Sequence, residues 1–276
     1  MNICFIGGGN MAAALIDGLL HRGADAATLH VVEMRAEARR DLQERFGVAV
    51  FERLSAAAVA ADVVVLAVKP QQLPGVAAQL RPLLNTQLVV SIAAGVRAAD
   101  LSRWLGDYPR LARAMPNTPA RVGAGMSGLF ALPGLSETER QRAETILAAA
   151  GGVLWLDDEA QMDAITAVSG SGPAYVFYFL QAMEEGAKAL GLDAAHARRL
   201  GLETFRGACR LAAQSGEPFA ELRAQVTSKG GTTERALQVM ETAGVRRHIG
   251  EAMAAAAERS RELGDALRTE GDSHAE

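Results

Sequence analysis

A glycine-rich turn around residue 8 limits the fold more than any other feature of the sequence. Residues 5–12 read Phe-Ile-Gly-Gly-Gly-Asn-Met-Ala, after an apolar stretch at 3–6 and before an alanine-rich stretch at 12–21. In a strand–turn–helix unit that holds a dinucleotide, Gly7 permits the tight turn, Gly9 lets the backbone approach a pyrophosphate, and Ala12 packs the helix on the strand. The turn therefore predicts a dinucleotide-binding unit, with an ordinary tight turn as the alternative. The predicted cofactor contacts here are Ile6, Gly7, Gly8, Gly9, Asn10 and Met11.

Short apolar stretches alternate with helix-like stretches through the first half of the chain. The strand candidates are 3–6, 29–32, 63–68, 88–92 and 111–115, and the helix candidates between them are 12–21, 35–46, 72–84 and 98–105. Consecutive apolar, β-branched residues are typical of parallel strands that are buried on both faces. This order predicts an α/β fold with an N-terminal Rossmann-like doubly wound parallel sheet, to which 126–132 and 153–156 add further strands.

The strand pattern stops after about residue 163, and helical spacing replaces it. The helix candidates are 175–190, 194–214, 218–226, 233–242 and 245–267. We therefore expect a dinucleotide-binding domain at 1–160 and an all-α C-terminal dimerisation domain at 161–276. Because so small a helical domain leaves apolar faces uncovered, we expect a homodimer that forms through these helices.

The composition excludes several classes of protein. A net charge of −4 over 276 residues gives no general attraction to nucleic acid or to membrane surfaces. The sequence has no apolar run of membrane-spanning length and no targeting leader, and its 2 cysteines and 5 histidines lack metal-ligand spacing. We therefore expect a cytoplasmic protein without a metal site, a nucleic-acid partner or a membrane partner.

An acidic residue stands at the end of the second predicted strand, where dinucleotide-binding folds contact the adenosine ribose. Glu33 there is suited to accept hydrogen bonds from the ribose hydroxyls of NADH. The arginines that follow it, at 35, 39 and 40, are instead suited to the 2′-phosphate of NADPH, so the cofactor is NADPH or NADH. Two further strand ends are expected to face the same crevice. Their predicted cofactor contacts are Ala67, Val68, Lys69, Pro70, Ala93, Ala94 and Gly95.

A second glycine turn lies far along the chain. Residues 226–237 read Val-Thr-Ser-Lys-Gly-Gly-Thr-Thr-Glu-Arg-Ala-Leu. Glycines let successive N–H groups point into one turn, and the start of a helix adds free N–H groups and the positive end of its dipole. The sequence predicts an anion site at Gly230, Gly231, Thr232 and Thr233, to which Ser228 adds a hydroxyl. Simple N-capping by a threonine is the alternative.

The sequence resembles the pyrroline-5-carboxylate reductases along essentially its whole length. The motifs that carry the resemblance are residues 5–11, 67–70, 93–96, Met-Pro-Asn-Thr-Pro at 115–119, Ser-Gly-Ser-Gly-Pro-Ala-Tyr at 169–175, and 227–233. The resemblance implies a Rossmann domain, a helical dimerisation domain, and reduction of L-1-pyrroline-5-carboxylate to L-proline by NAD(P)H, the last step of proline biosynthesis. It also implies that segment 225–233 of one subunit helps to complete the active site of its neighbour, and that assemblies larger than a dimer occur.

The resemblance implies individual roles as well. Thr233 is the implied catalytic residue, because it would hydrogen-bond the ring nitrogen of the substrate. Glu159 would lie near the substrate amine and Asn117 near the nicotinamide, with a solvated turn and a turn-fixing role as the respective alternatives. Two positions depart from the family pattern: many members have proline where Lys229 stands, and many NADPH users have small polar or basic residues where Glu33 stands.

Two other classes of protein share some of these sequence features. β-Hydroxyacid dehydrogenases also join a Rossmann domain to helices, but they need a catalytic lysine early in the first long helix of the second domain. This chain has no lysine there before Lys188. A non-catalytic nucleotide sensor would keep the turn at 7–9 but would not need the second glycine turn.

Overall fold

The chain folds into two compact units. The computed structural model describes the backbone of residues 1–275 and the side chains of residues 1–269. One unit consists of Met1–Ser171 together with the chain from Ala255 onward, and the other is Gly172–Ala254. No helix among the described residues has both the length and the apolar character needed to cross a membrane.

A single sheet organises the first unit, and within residues 1–275 it has eight strands. The strands are β1 Ile3–Ile6, β2 Leu29–Val32, β3 Ala49–Phe51, β4 Val63–Leu66, β5 Leu88–Ser91, β6 Leu111–Met115, β7 Gly125–Ala131 and β8 Gly151–Trp155. Their order across the sheet is β3-β2-β1-β4-β5-β6-β7-β8. All neighbours are parallel except β6 and β7, which are antiparallel. The predicted doubly wound sheet is therefore confirmed, and the two stretches expected as further strands form β7 and β8.

Helices cover both faces of this sheet. They are α1 Asn10–His21, α2 Ala36–Phe46, α3 Leu73–Leu80, α4 Ala98–Trp104, α5 Glu137–Ala148 and α6 Gln161–Ile165, and a π turn at Thr166–Gly170 follows α6. A capping box starts α5, because the Ser136 hydroxyl accepts from the Glu139 N–H at 3.3 Å and the Glu139 carboxylate accepts from the Ser136 N–H at 2.9 Å.

Alternating strand residues divide the core into two apolar clusters. Phe5 and Val65 belong to the cluster on one face, and Cys4 and Val64 to the cluster on the other. Every residue of β4 is buried, as expected for a central parallel strand. Burial raises the pKa of the Cys4 thiol to about 12, so this side chain stays protonated and packs as an apolar group.

The second unit is all-α in the part of the chain that is described. Its helices are α7 Gly172–Ala189, α8 Ala194–Ser215, α9 Phe219–Gln225, α10 Thr232–Thr242 and the first part of α11 Val245–Ala275. Gly201 of α8 lies close to α7, since a Cβ added there would lie 3.8 Å from Leu180. Large apolar side chains remain exposed on this unit, among them Phe177, Leu190 and Phe219 at 66%, 87% and 80%. Such a surface is typical of a unit that packs against another chain.

The first compact unit continues to Ser171, whereas the sequence predicts a domain boundary between residues 160 and 161. Met162 of α6 is fully buried in the first unit. Ile165 covers Gly128 of β7 so closely that a Cβ at Gly128 would lie 2.8 Å from it. Leu267 of α11 belongs to the same core as β4 and β5. Residues 161–171 and Leu267 of α11 therefore pack with the sheet.

Candidate active site

The turn between β1 and α1 has the conformation that the glycine spacing predicts. Gly7 has a φ of +98°, and a Cβ there would lie 2.7 Å from the Ala67 carbonyl oxygen. Any larger residue at position 7 would be strained and would also clash with the chain that follows β4. Gly9 is the N-cap of α1 and has no side-chain cap bond, and a Cβ there would meet nothing within 4 Å. The first N–H groups of α1 are thus open to an anionic ligand.

Glu33 lies against this turn. Its Oε2 accepts a hydrogen bond from the Gly8 N–H at 3.1 Å, and its Oε1 accepts from the Arg35 N–H at 2.9 Å and from Arg35 Nε at 3.1 Å. Partial burial alone would raise the pKa of this carboxyl, but the hydrogen bonds from Arg35 and Gly8 and the Arg35 charge outweigh it, and the pKa is lowered. Glu33 is therefore an anion at neutral pH, fixed beside the dinucleotide turn.

The arginines after Glu33 are largely used by the protein itself. Arg35 is paired with Glu33, and its side chain is 72% exposed. Arg39 donates through Nη1 to the carbonyl oxygens of Glu33 at 2.8 Å and Met34 at 2.6 Å, and its Nη2 lies 3.6 Å from Glu52. Arg40 is exposed. Two of the three arginines suggested for a 2′-phosphate, Arg35 and Arg39, therefore already bind oxygen atoms of the protein.

Adjacent strands bring the other predicted cofactor contacts to one edge of the sheet. β1, β4 and β5 are neighbours, so the turn at 6–11 and the loops at 67–70 and 93–95 follow the carboxyl ends of consecutive strands. The Ala67 N–H donates to the Ile6 carbonyl at 2.8 Å, and the Ile92 N–H donates to the Leu66 carbonyl at 3.1 Å. Lys69 and Ala94 are exposed at this edge, and Gly95 has a φ of +81°. This is the crevice in which open α/β sheets bind ligands.

Asn117 holds three parts of the first unit together. Its Nδ2 donates to the backbone carbonyl and to the hydroxyl of Ser169, both at 3.1 Å, and its Oδ1 accepts from the Met126 N–H at 2.9 Å. The side chain thus joins the end of β6, the start of β7 and the π turn. The turn-fixing role accounts for both polar atoms of this side chain, so a contact with the cofactor would come from the surrounding turn.

Glu159 is part of a half-buried ion pair and does not lie in a solvated turn. Its Oε1 accepts from Arg113 Nη1 at 2.8 Å and from the Ala98 N–H at 2.7 Å. The exposed fractions of the two side chains are 20% for Glu159 and 5% for Arg113. The contribution of Arg113 was missed in the sequence, where the only signal is an arginine within the apolar stretch 111–115.

The second glycine turn forms in the second unit as an N–H cradle. Gly230 has a φ of +73°, and a Cβ at Gly231 would lie 2.5 Å from the Ser228 hydroxyl. The N-cap of α10 is Gly231, without a side-chain cap bond, so α10 starts one residue before the predicted Thr233. Neither Thr232 nor Thr233 has a side-chain hydrogen-bond partner among the described residues. The alternative of a threonine side chain capping α10 is therefore not observed.

The Gly231 N–H donates to the Ser228 carbonyl at 3.1 Å, and the Glu234 carboxylate occupies a second N–H group of this cradle. This carboxylate accepts from the Gly230 N–H at 2.7 Å. A ligand carboxylate that used the same N–H would have to displace it, so the cradle is preorganised for a carboxylate oxygen.

Comparison with known proteins covers nearly the whole chain. The family model for pyrroline-5-carboxylate reductase dimerisation matches residues 159–263, and the model for NADP oxidoreductase, coenzyme F420-dependent, matches residues 2–95. A pyrroline-5-carboxylate reductase of Pseudomonas aeruginosa is 47% identical over 266 residues, which are 96% of this chain and 97% of the relative. This chain belongs to the pyrroline-5-carboxylate reductase family.

Solved structures of the family share its fold. A pyrroline-5-carboxylate reductase from Coxiella burnetii is 41% identical, with a TM-score of 0.90, and the match covers 95% of this chain and 98% of that one. The Plasmodium falciparum enzyme, solved with NADP bound, is 26% identical, with a TM-score of 0.85 and coverage of 96% and 98%. The Rossmann-like unit and the helical dimerisation region are therefore confirmed for this member of the reductase family.

The predicted site residues of this reductase-family chain fall in different units. The cofactor contacts and Glu159 belong to the first unit, and residues 228–233 belong to the second. Among the described residues, no group of three or more histidine, cysteine, aspartate or glutamate side chains is arranged to hold a metal ion.

Proposed function

We propose that this chain reduces L-1-pyrroline-5-carboxylate to L-proline with a nicotinamide dinucleotide as the hydride donor. One observation carries the proposal: the likeness to a reductase of this name extends over 96% of the chain at 47% identity. Both glycine turns lie within the residues that the two family models match, 2–95 and 159–263. A β-hydroxyacid dehydrogenase is not favoured, since α7 has its first lysine at Lys188, near its C-terminal end.

The proposed reaction requires few catalytic groups from the protein. A bound dihydronicotinamide would supply the hydride for the imine carbon, and the ring nitrogen would hold a proton taken from water before or during transfer. The C=N bond becomes a single C–N bond. Because an imine is readily protonated, the site needs an anchor for the substrate carboxylate and a hydrogen-bond partner at nitrogen more than it needs a strong acid.

The turn at 7–9 suits the cofactor. Gly9 leaves space at the start of α1, where free N–H groups and the positive helix dipole would hold the pyrophosphate. Ile6, Gly7, Gly8, Asn10 and Met11 form the surrounding turn. The loops at 67–70 and 93–95 would hold the nicotinamide end of the molecule.

We further propose that NADH is preferred to NADPH. Glu33 is an anion fixed against the dinucleotide turn, and Arg35 and Arg39 are engaged by protein oxygens. A ribose with two hydroxyls would donate to this carboxylate, whereas a 2′-phosphate would be repelled by it.

The second glycine turn supplies the substrate anchor in this proposal. The Thr232 N–H and the Ser228 hydroxyl would bind the carboxylate, together with the Gly230 N–H once Glu234 is displaced. Gly231 shapes the turn, and its own N–H donates to the Ser228 carbonyl at 3.1 Å. Thr233 would hydrogen-bond the ring nitrogen, which its lack of a capping partner supports. We assign Glu159 an electrostatic role only, because its Oε1 is held by Arg113 and Ala98.

The functional form proposed is a homodimer that assembles through the C-terminal helices, with segment 225–233 completing the site of the neighbouring subunit. The match of residues 159–263 to a dimerisation family supports this assembly. The exposed apolar side chains of the second unit supply the surface for it. We place the enzyme in the cytoplasm.

Turnover by the purified protein tests the proposal. NADH absorbance should fall when L-1-pyrroline-5-carboxylate is added, and L-proline should accumulate in equal amount. Thr233→Ala should lower kcat, whereas Thr242→Ala, at the far end of α10, should not. Cofactor binding without turnover would contradict the reductase function and would favour the nucleotide sensor.

A further inference from the structure

The first unit contains a cavity that neither glycine turn lines. It has a volume of about 270 Å³ and lies beside β6, between α6 and the last part of α11. Drug-sized ligands occupy pockets of about 300–1,000 Å³, so this cavity suits a smaller metabolite. Among the described residues, none at 6–11, 67–70 or 228–233 lines it, whereas Gly95 of the proposed cofactor loop and Glu159 form part of its wall.

Arg113 presents hydrogen-bond donors to this cavity. The residue is 4% exposed, and its Nη1 is bound to Glu159. Its Nε and Nη2 have no hydrogen-bond partner among the described residues, and both atoms are solvent-accessible. These two nitrogens form the edge of a guanidinium that binds a carboxylate through two parallel hydrogen bonds.

Asp163 supplies a charge of the opposite sign. Its Oδ1 accepts from the hydroxyl of Ser260, a residue that is 5% exposed, at 2.6 Å. It forms no ion pair with any described residue. A carboxylate in such a half-buried position is stabilised by a cation that reaches its free oxygen.

The other charges of the cavity wall are already paired. Arg97 is bound to Asp265 at 2.8 Å, and Arg261 is bound to Glu258. The open partners are therefore the donor edge of Arg113, whose charge Glu159 balances, and the unpaired carboxylate of Asp163. A simple anion would meet Asp163, and a simple amine would leave the Arg113 edge unused.

We propose that this cavity binds a small α-amino acid in its zwitterionic form. The ligand carboxylate bonds the Nε–Nη2 edge of Arg113, and the ammonium group bonds Asp163. Gly95 and Gly264 line the same cavity and, having no side chains of their own, leave space for the short side chain of such a ligand. The site is separate in sequence from the proposed substrate anchor at 228–233.

Calorimetric titration of the full-length protein tests this site with three probes: L-alanine, acetate and methylamine. L-Alanine should bind, and each single-charge probe should bind at least about tenfold more weakly, which corresponds to about 1.4 kcal/mol. Asp163→Asn, which keeps an acceptor for Ser260, should weaken L-alanine binding by a similar factor. Asp158→Asn is the matched control, because Asp158 is exposed and its Oδ1 accepts only from the Ala160 N–H.

Two further variants distinguish this cavity from the proposed substrate anchor. Arg113→Lys keeps a positive charge beside Glu159 but loses the two-donor edge, so it should also weaken L-alanine binding. Thr233→Ala should leave the binding unchanged, because it alters only the proposed substrate anchor. Failure of L-alanine to bind, equal binding of acetate, full affinity in Asp163→Asn, or loss of binding in Thr233→Ala would each overturn the proposal.

Discussion

Replacement of Glu33 by serine should reverse the cofactor preference of the enzyme. The carboxylate now accepts from Gly8 and Arg35 and stands where the adenosine ribose is proposed to bind. Glu33→Ser removes a hydrogen bond from NADH to a charged acceptor, worth about 1.5 kcal/mol at the low end of such bonds. It also frees Arg35, whose side chain is 72% exposed, to approach a 2′-phosphate.

The electrostatic contribution to the preference for NADH over NADPH has a similar size. Two unit charges about 4 Å apart interact by about 4 kcal/mol near a protein surface. The paired Arg35 offsets most of the Glu33 charge, and we take about 1.4 kcal/mol as the remaining repulsion of a 2′-phosphate. Together the two effects amount to about 3 kcal/mol, so the NADH-to-NADPH ratio of kcat/KM should fall by about 100-fold.

Steady-state kinetics with both cofactors, at saturating L-1-pyrroline-5-carboxylate, measures this ratio. The charge-matched control is Glu44→Ser, which removes an exposed carboxylate from α2 away from the turn. A wild-type enzyme that prefers NADPH by a wide margin would refute the role given to Glu33. So would an unchanged ratio in Glu33→Ser.

The same carboxylate predicts a pH dependence of stability. Because the pKa of Glu33 is lowered from its ordinary value of 4.5 in the folded protein, its stabilising contribution is present above that value. The contribution is lost as the pH falls through the lowered pKa. Glu33→Gln should therefore melt below the wild type at neutral pH, and the difference should shrink below about pH 4. A difference in Tm that stays constant on acidification would contradict this role of the carboxylate.

Three further predictions test packing and catalysis. Gly18→Ala should destabilise the protein by about 1–3 kcal/mol in urea unfolding, because the new Cβ would lie 2.2 Å from the Ala149 carbonyl oxygen; Gly75→Ala, with open space around it, is the control and should be neutral or stabilising. Asn117→Ala should lower the free energy of unfolding by about 1–3 kcal/mol in the same measurement, because the Ser169 carbonyl and the Met126 N–H would lose their hydrogen-bond partner. Thr233→Ala should lower kcat about tenfold or more with little change in the KM for NADH, and an unchanged kcat would remove Thr233 from the mechanism.

The sequence predicted the fold where the signal is local. The buried strands are continuous apolar runs, and the Gly7 and Gly9 positions follow from the conformation and the space that one turn requires. β3 was missed because it is only 3 residues long and half-buried, although all three of its residues are apolar. The compact first unit runs on to Ser171, beyond the predicted boundary, and the packing of Ile165 over Gly128 that keeps this segment with the sheet is a contact between distant residues.

The same limit applies to the site. The partners of Glu159 lie 46 and 61 residues away, and Ser169 lies 52 residues from Asn117, so no sequence window contains these pairs. The first residues of α10 were predicted well because the cradle is local. Its N-cap is Gly231, so the alternative of threonine capping is not what the structure has.

The division of the first unit between two stretches of chain has a consequence for biosynthesis. Leu267 of α11 completes a core whose other residues lie before Ser171. Ribosomes add about 5–20 residues per second, so the growing sheet waits several seconds while the second unit is made. During that interval the face beside β5 and α4 lacks its last apolar cover. We expect nascent chains halted before residue 255 to need chaperone protection that the finished protein does not.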